Sequence, residues 1–131
     1  MEPEGNRRKL TGFAHFLAAA GYSAGGVARA WREAAFRQEV AAGAALVVIY
    51  AFIGVETHVA IAAAALFLVL VAVEALNTAI EEIVDRISPE TSVTAKHAKD
   101  LGSFAVFCLI CANAMLLSGA VYLHVIGPAT S

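Results

Sequence analysis

The stretch VEALNTAIEEIVDR, residues 73–86, decides how this chain is read. It follows VAIAAAALFLVLVA (59–72), in which no side chain carries a polar atom. As a helix rising 1.5 Å per residue, that run covers much of a bilayer's hydrocarbon layer. Glu74 arrives before the apolar run has ended, and Asn77, Glu81 and Asp85 follow at i+3, i+7 and i+11. This spacing puts the four residues in a narrow arc of one helix face. Glu82 turns about 100° away from Glu81 and reads as solvated. Glu74 then lies nearest the hydrocarbon, with Glu81 at or past the membrane surface. A carboxylate left in an apolar layer without a partner is strongly unfavourable. Glu74 therefore faces a partner or performs chemistry.

The composition agrees with a membrane setting. Of 131 residues, 60% are hydrophobic and 15% charged, whereas soluble domains run at about 45–50% and about 25%. A chain of this size has no room to hide so much apolar surface from water. Two further apolar stretches flank the first, VAAGAALVVIYAFIGV (40–55) and LGSFAVFCLICANAMLLSGAVYL (101–123). None shows the alternation of a barrel strand. Backbone groups in lipid must be satisfied within the segment, so all three are expected as helices, with spans at about 38–56, 59–80 and 101–124. The whole chain, 1–131, reads as a single domain of an all-α membrane protein. A net charge of −2 argues against a nucleic-acid partner. Cys108 and Cys111 are expected as buried free thiols on one side of a helix. The opening MEPEGNRRKLTG is polar and is expected to be a frayed tail over 1–9, not a signal peptide.

Charge sets the expected topology. All nine Lys and Arg residues lie before the first span or between the second and third. The positive-inside rule makes both regions cytoplasmic and the C-terminus external. The link GVETHVA is short enough to make the first two spans antiparallel neighbours. EEIVDR carries the second helix past the membrane surface, and Ser88-Pro89 is expected to break it. Asn113, mid-span in the third helix, is expected to contact another helix.

Ahead of the first span, LTGFAHFLAAA (10–20) puts Leu10, Phe13 and Leu17 on one face of a short interfacial helix. GYSAGG (21–26) reads as a turn; no Gly-Lys-Ser/Thr follows it, so it is not a Walker A loop. VARAWREAAFRQE (27–39) reads as one further helix, rich in alanine. In it Glu33 lies between Arg29 and Arg37 at four-residue spacing, and Trp31 suits the lipid–water boundary.

The polar stripe limits the chemistry. Carboxylates one or two turns apart can hold a hard divalent cation through oxygen. A carboxylate in a low-dielectric spot suits a general base acting on an alcohol. An amide such as Asn77 can orient a ligand, and Lys99, Arg32 or Arg37 can neutralise phosphate. These groups meet at the cytoplasmic surface, where a lipid alcohol meets a water-soluble nucleotide. On the residues alone, a lipid-modifying enzyme stands beside a transporter or channel with intramembrane acids and beside an assembly protein.

EAAFRQE (33–39), VEALNTAIEEIVDR (73–86) and AKDLGS (98–103), with AAGYS (19–23) less specifically, carry a likeness. The chain resembles the small integral-membrane diacylglycerol kinases of bacteria over roughly residues 12–126. The resemblance implies transfer of the γ-phosphate of MgATP to 1,2-diacylglycerol, giving phosphatidic acid in lipid recycling. It implies a homotrimer in the inner membrane, with three membrane helices and an amphipathic surface helix per subunit. The family's functional positions fall on Glu33, Glu39, Glu74, Asn77, Glu81, Lys99 and Asp100. By the resemblance Glu33 and Glu81 are the Mg²⁺ carboxylates and Glu74 is the base facing the lipid hydroxyl. Asn77, Lys99 and Asp100 form the polar shell around nucleotide and phosphate, and Tyr22 is a nucleotide contact. The sequence departs from the family at His15 and Ala18, where basic residues are common, and is one residue shorter between AAGYS and EAAFRQE. A shifted register of the surface helix is expected from that. Related proteins phosphorylate undecaprenol; EAAFRQE favours the diacylglycerol type.

Overall fold

The structure, a computed structural model, describes residues 12–88 and 92–127. The polar tail 1–9, Leu10 and Pro89 lie outside the described residues. Four helices follow one another: α1 (Phe13–Ala30), α2 (Ala34–Ile53), α3 (Thr57–Ile87) and α4 (Val93–Ile126). The last three are long and apolar enough to cross a membrane, and α1 is not among them. The expected three spans and separate N-terminal helix are thus present.

The 31 residues of α3 contain neither glycine nor proline and run without interruption from the apolar stretch through the polar stripe. That exceeds the roughly 20 residues that a hydrocarbon core needs, so the polar end projects beyond it. α4 is longer still, because its helix begins at Val93, ahead of the apolar stretch. Ser92 caps it, its Oγ accepting the Ala95 N–H at 3.1 Å. Lys96, Lys99 and Asp100 therefore stand on a helix, not in a loop.

The tight α2–α3 link closes on Gly54. Its φ of 69° is left-handed, and its N–H reaches the Tyr50 carbonyl at 3.0 Å, a conformation that favours glycine. Gly43 of α2 lies against the Phe67 ring of α3, each ten residues from the nearest helix end at the link. α2 and α3 are antiparallel neighbours, as expected. Gly102 of α4 similarly lies against Asn77 of α3. The α3–α4 pair is the most extensive contact in the chain, α2 leans on both, and α1 touches α3.

Little is buried within one chain. Leu70, Ala63 and Val106 form the inner seam, while Phe52, Leu68, Phe107 and Met115 face outward. In a bilayer such outward faces meet lipid or another helix at no cost in hydration. Cys108 and Cys111 are free, as expected, but Cys108 is exposed and Cys111 half-buried. Their helix face is turned away from the α3 seam, which the periodicity alone did not reveal.

Two local expectations are overturned. GYSAGG is not a turn: α1 passes through it as one helix. Nothing there needs a positive φ, since the described glycines with that conformation are Gly12 and Gly54. A mid-helix glycine costs only about 1 kcal/mol against alanine, and alanines surround these. Nor is 27–39 a single helix, because the chain breaks at residues 31–33. Glu33 is extended, with φ −79° and ψ 136°. The break is stabilised by what it brings together. Arg37 donates to the carbonyls of Trp31 and Arg32, each at 2.9 Å, and the Trp31 ring meets Phe36 edge-on at 6.1 Å. Those carbonyls would otherwise lack partners where the helix stops.

Candidate active site

Glu74 and Asn77 are buried, at 6% and 8% exposure. α3 presents them one turn apart, and α4 covers them because Gly102 has no side chain to hold it off. The Asn77 amide donates from Nδ2 to Glu81 Oε1 at 3.0 Å. This fixes which way the amide points and turns Glu81 back toward it. Asn77 and Glu81 are thus bonded, with Glu74 one turn deeper on the same face of α3.

Beside these residues lies a cleft of about 530 Å³, lined by Glu39 and Gln38 of α2, Phe67, Leu70 and Glu74 of α3, and Asn113 of α4 among others. Its walls are largely apolar, with two carboxylates. Glu39 Oε2 and Asn77 Oδ1 are buried with no hydrogen-bond partner among the described residues. Buried polar atoms are nearly always paired, so the unpaired Glu39 oxygen at the cleft marks a place where a donor such as a hydroxyl would be welcome, whereas Asn77 Oδ1 faces Gly102 of α4. Asn113, expected to contact another helix, is buried, but its Nδ2 donates to the Leu109 carbonyl of its own helix at 2.9 Å.

The aqueous end is a set of ion pairs. Lys99 of α4 reaches Asp85 of α3 at 2.5 Å, so the last carboxylate of the stripe holds the lysine expected to meet phosphate. Asp100 pairs with Lys96 on its own helix at 2.7 Å and is exposed. Glu33 accepts from Arg29 Nη1 at 2.7 Å, and the same guanidinium reaches Glu82 through Nη2. The Glu33 bond raises the Arg29 pKa; desolvation opposes this, and Glu82 adds to it. The guanidinium stays charged at any relevant pH. Arg37 does not join Glu33, since it is engaged at the helix break.

The structure therefore gathers Glu74, Asn77 and Glu81, with Glu39 and Glu74 sharing the cleft. Glu33 and Lys99 stand at the same end of the bundle, each held in an ion pair. Asp100 and Tyr22 are not drawn to the stripe: Asp100 turns to Lys96, and Tyr22 is 78% exposed on α1. Among the described residues no three His, Cys, Asp or Glu side chains converge as a metal cage. Two residues escaped the sequence reading. Glu82 is not simply solvated, because it anchors Arg29. Gly102 is the space that Asn77 fills. The Arg29–Glu33 spacing was a visible signal, but the third member sits on a distant helix. Nothing local marked Gly102.

Residues 21–122 match the family model described as prokaryotic diacylglycerol kinase. A diacylglycerol kinase of Sinorhizobium sp is 55% identical over 105 residues, which is 80% of this chain and 77% of that one. One of Escherichia coli (strain K12) is 43% identical over 101 residues, 76% of this chain and 83% of its own. One of Haemophilus influenzae is 33% identical over 115 residues, 87% of this chain and 98% of its own. The matched segment holds every residue of the stripe, the cleft and the three ion-pair groups described above, and the chain belongs to the prokaryotic diacylglycerol kinase family.

Proposed function

We propose that this protein transfers the γ-phosphate of ATP to the primary hydroxyl of 1,2-diacylglycerol at the cytoplasmic face of a bacterial inner membrane. The products are phosphatidic acid and ADP. The carrying observation is the position of Glu74, buried in a largely apolar cleft whose next polar groups lead outward to the ion pairs. A lipid alcohol enters such a place from the bilayer, while a nucleotide approaches from water. The family and its curated relatives favour diacylglycerol over undecaprenol as the acceptor.

Glu74 accepts the hydroxyl proton as the oxygen bonds to the γ-phosphorus and the bond to the ADP oxygen breaks. Asn77 orients Glu81 through Nδ2, and its other amide end is packed at Gly102. Glu33 and Glu81 offer hard oxygen donors. A two-carboxylate set suits Mg²⁺, which takes few protein ligands and completes its shell with phosphate and water. When bound there, Mg²⁺ neutralises charge on the phosphate oxygens. Lys99 gives up part of its pairing with Asp85 to meet phosphate. Asp100 and Tyr22 serve the nucleotide from the exposed side.

On this reading the N-terminus and residues 81–100 are cytoplasmic and the C-terminus periplasmic, which the one-sided distribution of Lys and Arg supports. A homotrimer is supported by the uncovered apolar faces of α2, α3 and α4, and native mass spectrometry from lipid discs tests it. The activity test is label transfer from γ-labelled ATP to lipid in mixed micelles. Labelled phosphatidic acid, dependent on Mg²⁺, is expected. Label on undecaprenol alone would move the substrate, and ion leakage through vesicles without any labelled lipid would favour a channel.

A further inference from the structure

We propose that Arg29 is a positioning residue that sets Glu33 beside Glu81 by way of Glu82. The inference rests on the reading of Glu33 and Glu81 as the Mg²⁺ carboxylates. Glu33 needs such a device. It lies in the extended break between α1 and α2, where no continuous helix fixes its direction. α1 itself buries only Ala30, so apolar packing does little to hold the approach to the break. One guanidinium spans the gap. Its Nη1 bonds Glu33 Oε1 at 2.7 Å, and its Nη2 meets Glu82 Oε1 on α3. Glu82 directly follows Glu81, so the anchor is attached to the second metal carboxylate by a single peptide bond.

Arginine suits this task where lysine would not. The guanidinium is planar and its nitrogens keep a fixed separation, so holding one carboxylate determines where the other can sit. All three side chains are 40–49% exposed. Ion pairs that wet contribute little to stability, and their loss should leave the fold intact. What they set is the relation between two carboxylates on different helices. Partners of metal-binding groups commonly govern metal affinity in this way.

The test is Mn²⁺ binding, read by electron paramagnetic resonance with a non-hydrolysable ATP analogue present, on the full chain in lipid discs. Glu82→Ala keeps the Arg29–Glu33 bond and cuts only the tie to α3. It should weaken Mn²⁺ binding by about tenfold, as should Arg29→Gln. The double variant should be no weaker than Arg29→Gln alone, because both act through one link. Arg29→Lys should recover little, since an ammonium does not fork. Unchanged Mn²⁺ binding in Glu82→Ala would overturn the proposal, as would losses that multiply in the double variant. Glu33→Gln and Glu81→Gln separate the two levels. If they weaken Mn²⁺ binding while Glu82→Ala does not, the positioning role alone fails. If they too leave it unchanged, the metal reading fails and takes this inference with it.

Discussion

The α3–α4 pair and the α1–α2 junction both hold carboxylates at the polar end of the bundle, and they do it by opposite means. α3 and α4 run against each other at length, with Asn77 packed onto the bare face at Gly102. Glu74 and Asn77 are positioned by exclusion of space. At the junction the chain is broken, its side chains are half-exposed, and Glu33 is positioned by a guanidinium. Packing resists displacement in every direction, because any movement opens a void or meets an atom. An exposed ion pair constrains two charges and yields to competing ions and water. The packed half is thus rigid, and the ion-paired half, the one proposed to admit a nucleotide, is adjustable.

The strongest way to break this contrast is at Glu74. If the packed half carries the proton transfer, Glu74→Gln should slow single-turnover phosphoryl transfer by about 10²–10⁴-fold, the usual worth of a general base. ATP binding, measured by equilibrium dialysis, should change little. A loss well below tenfold would mean that positioning outweighs proton removal, which phosphoryl transfer permits.

A smaller effect is expected from the two carboxylates proposed to hold Mg²⁺, one from each half. Glu81→Gln and Glu33→Gln should each raise the Mg²⁺ concentration for half-maximal turnover by about tenfold or more, in line with the cost of disturbing a metal site. Glu81 also accepts from Asn77, so its amide variant should reduce turnover at saturating Mg²⁺ as well. Glu33→Gln should be largely rescued by excess metal. Equal, unrescued losses would mean that the junction is as rigid as the packed pair.

Two glycines sharpen the role of packing. A methyl at Gly102 would meet Asn77 Oδ1, and one at Gly43 would meet the Phe67 ring. Overpacking of this kind costs about 1–3 kcal/mol, so both alanine variants should lower the thermal midpoint in detergent. Only Gly102→Ala should also lower turnover of the folded fraction, because it moves the amide that holds Glu81. Normal turnover in that variant would detach Asn77 from the chemistry.

The same contrast explains what the sequence disclosed. Along α3 the burial pattern follows helical periodicity, so the stripe from Glu74 to Asp85 could be read from spacing, and the structure gathers Glu74, Asn77 and Glu81 as that spacing requires. The α2–α3 link was legible because three residues leave room for one arrangement. The junction was not. Its alanine-rich sequence has helical propensity throughout, and the break at 31–33 is stabilised by contacts from Arg37 and Phe36 that propensity does not contain. GYSAGG failed in the other direction, since glycine permits a turn without requiring one. Spacing alone makes Glu82 solvated because its partner lies on another helix, and Gly102 carries no local signal because an absent side chain has meaning only beside the group that fills its place.

The smallest expected effect concerns Lys96. It pairs with Asp100 at 2.7 Å on the first turns of α4, four residues apart and well exposed. Such a pair contributes about 0.3–0.5 kcal/mol, so Lys96→Ala should leave the thermal midpoint almost unchanged. Its value lies in Asp100. If that carboxylate serves the nucleotide, Lys96 holds it only loosely, and releasing it should leave the KM for ATP the same or slightly lower. Asp100→Asn should raise that KM, because the amide lacks the charge that a carboxylate brings to its neighbours. If Lys96→Ala instead raises the KM as far as Asp100→Asn does, the two residues act as one unit and the exposed turn of α4 is organised like the junction. If neither variant changes it, Asp100 is a surface partner of Lys96, and the nucleotide is held from the Lys99 side alone.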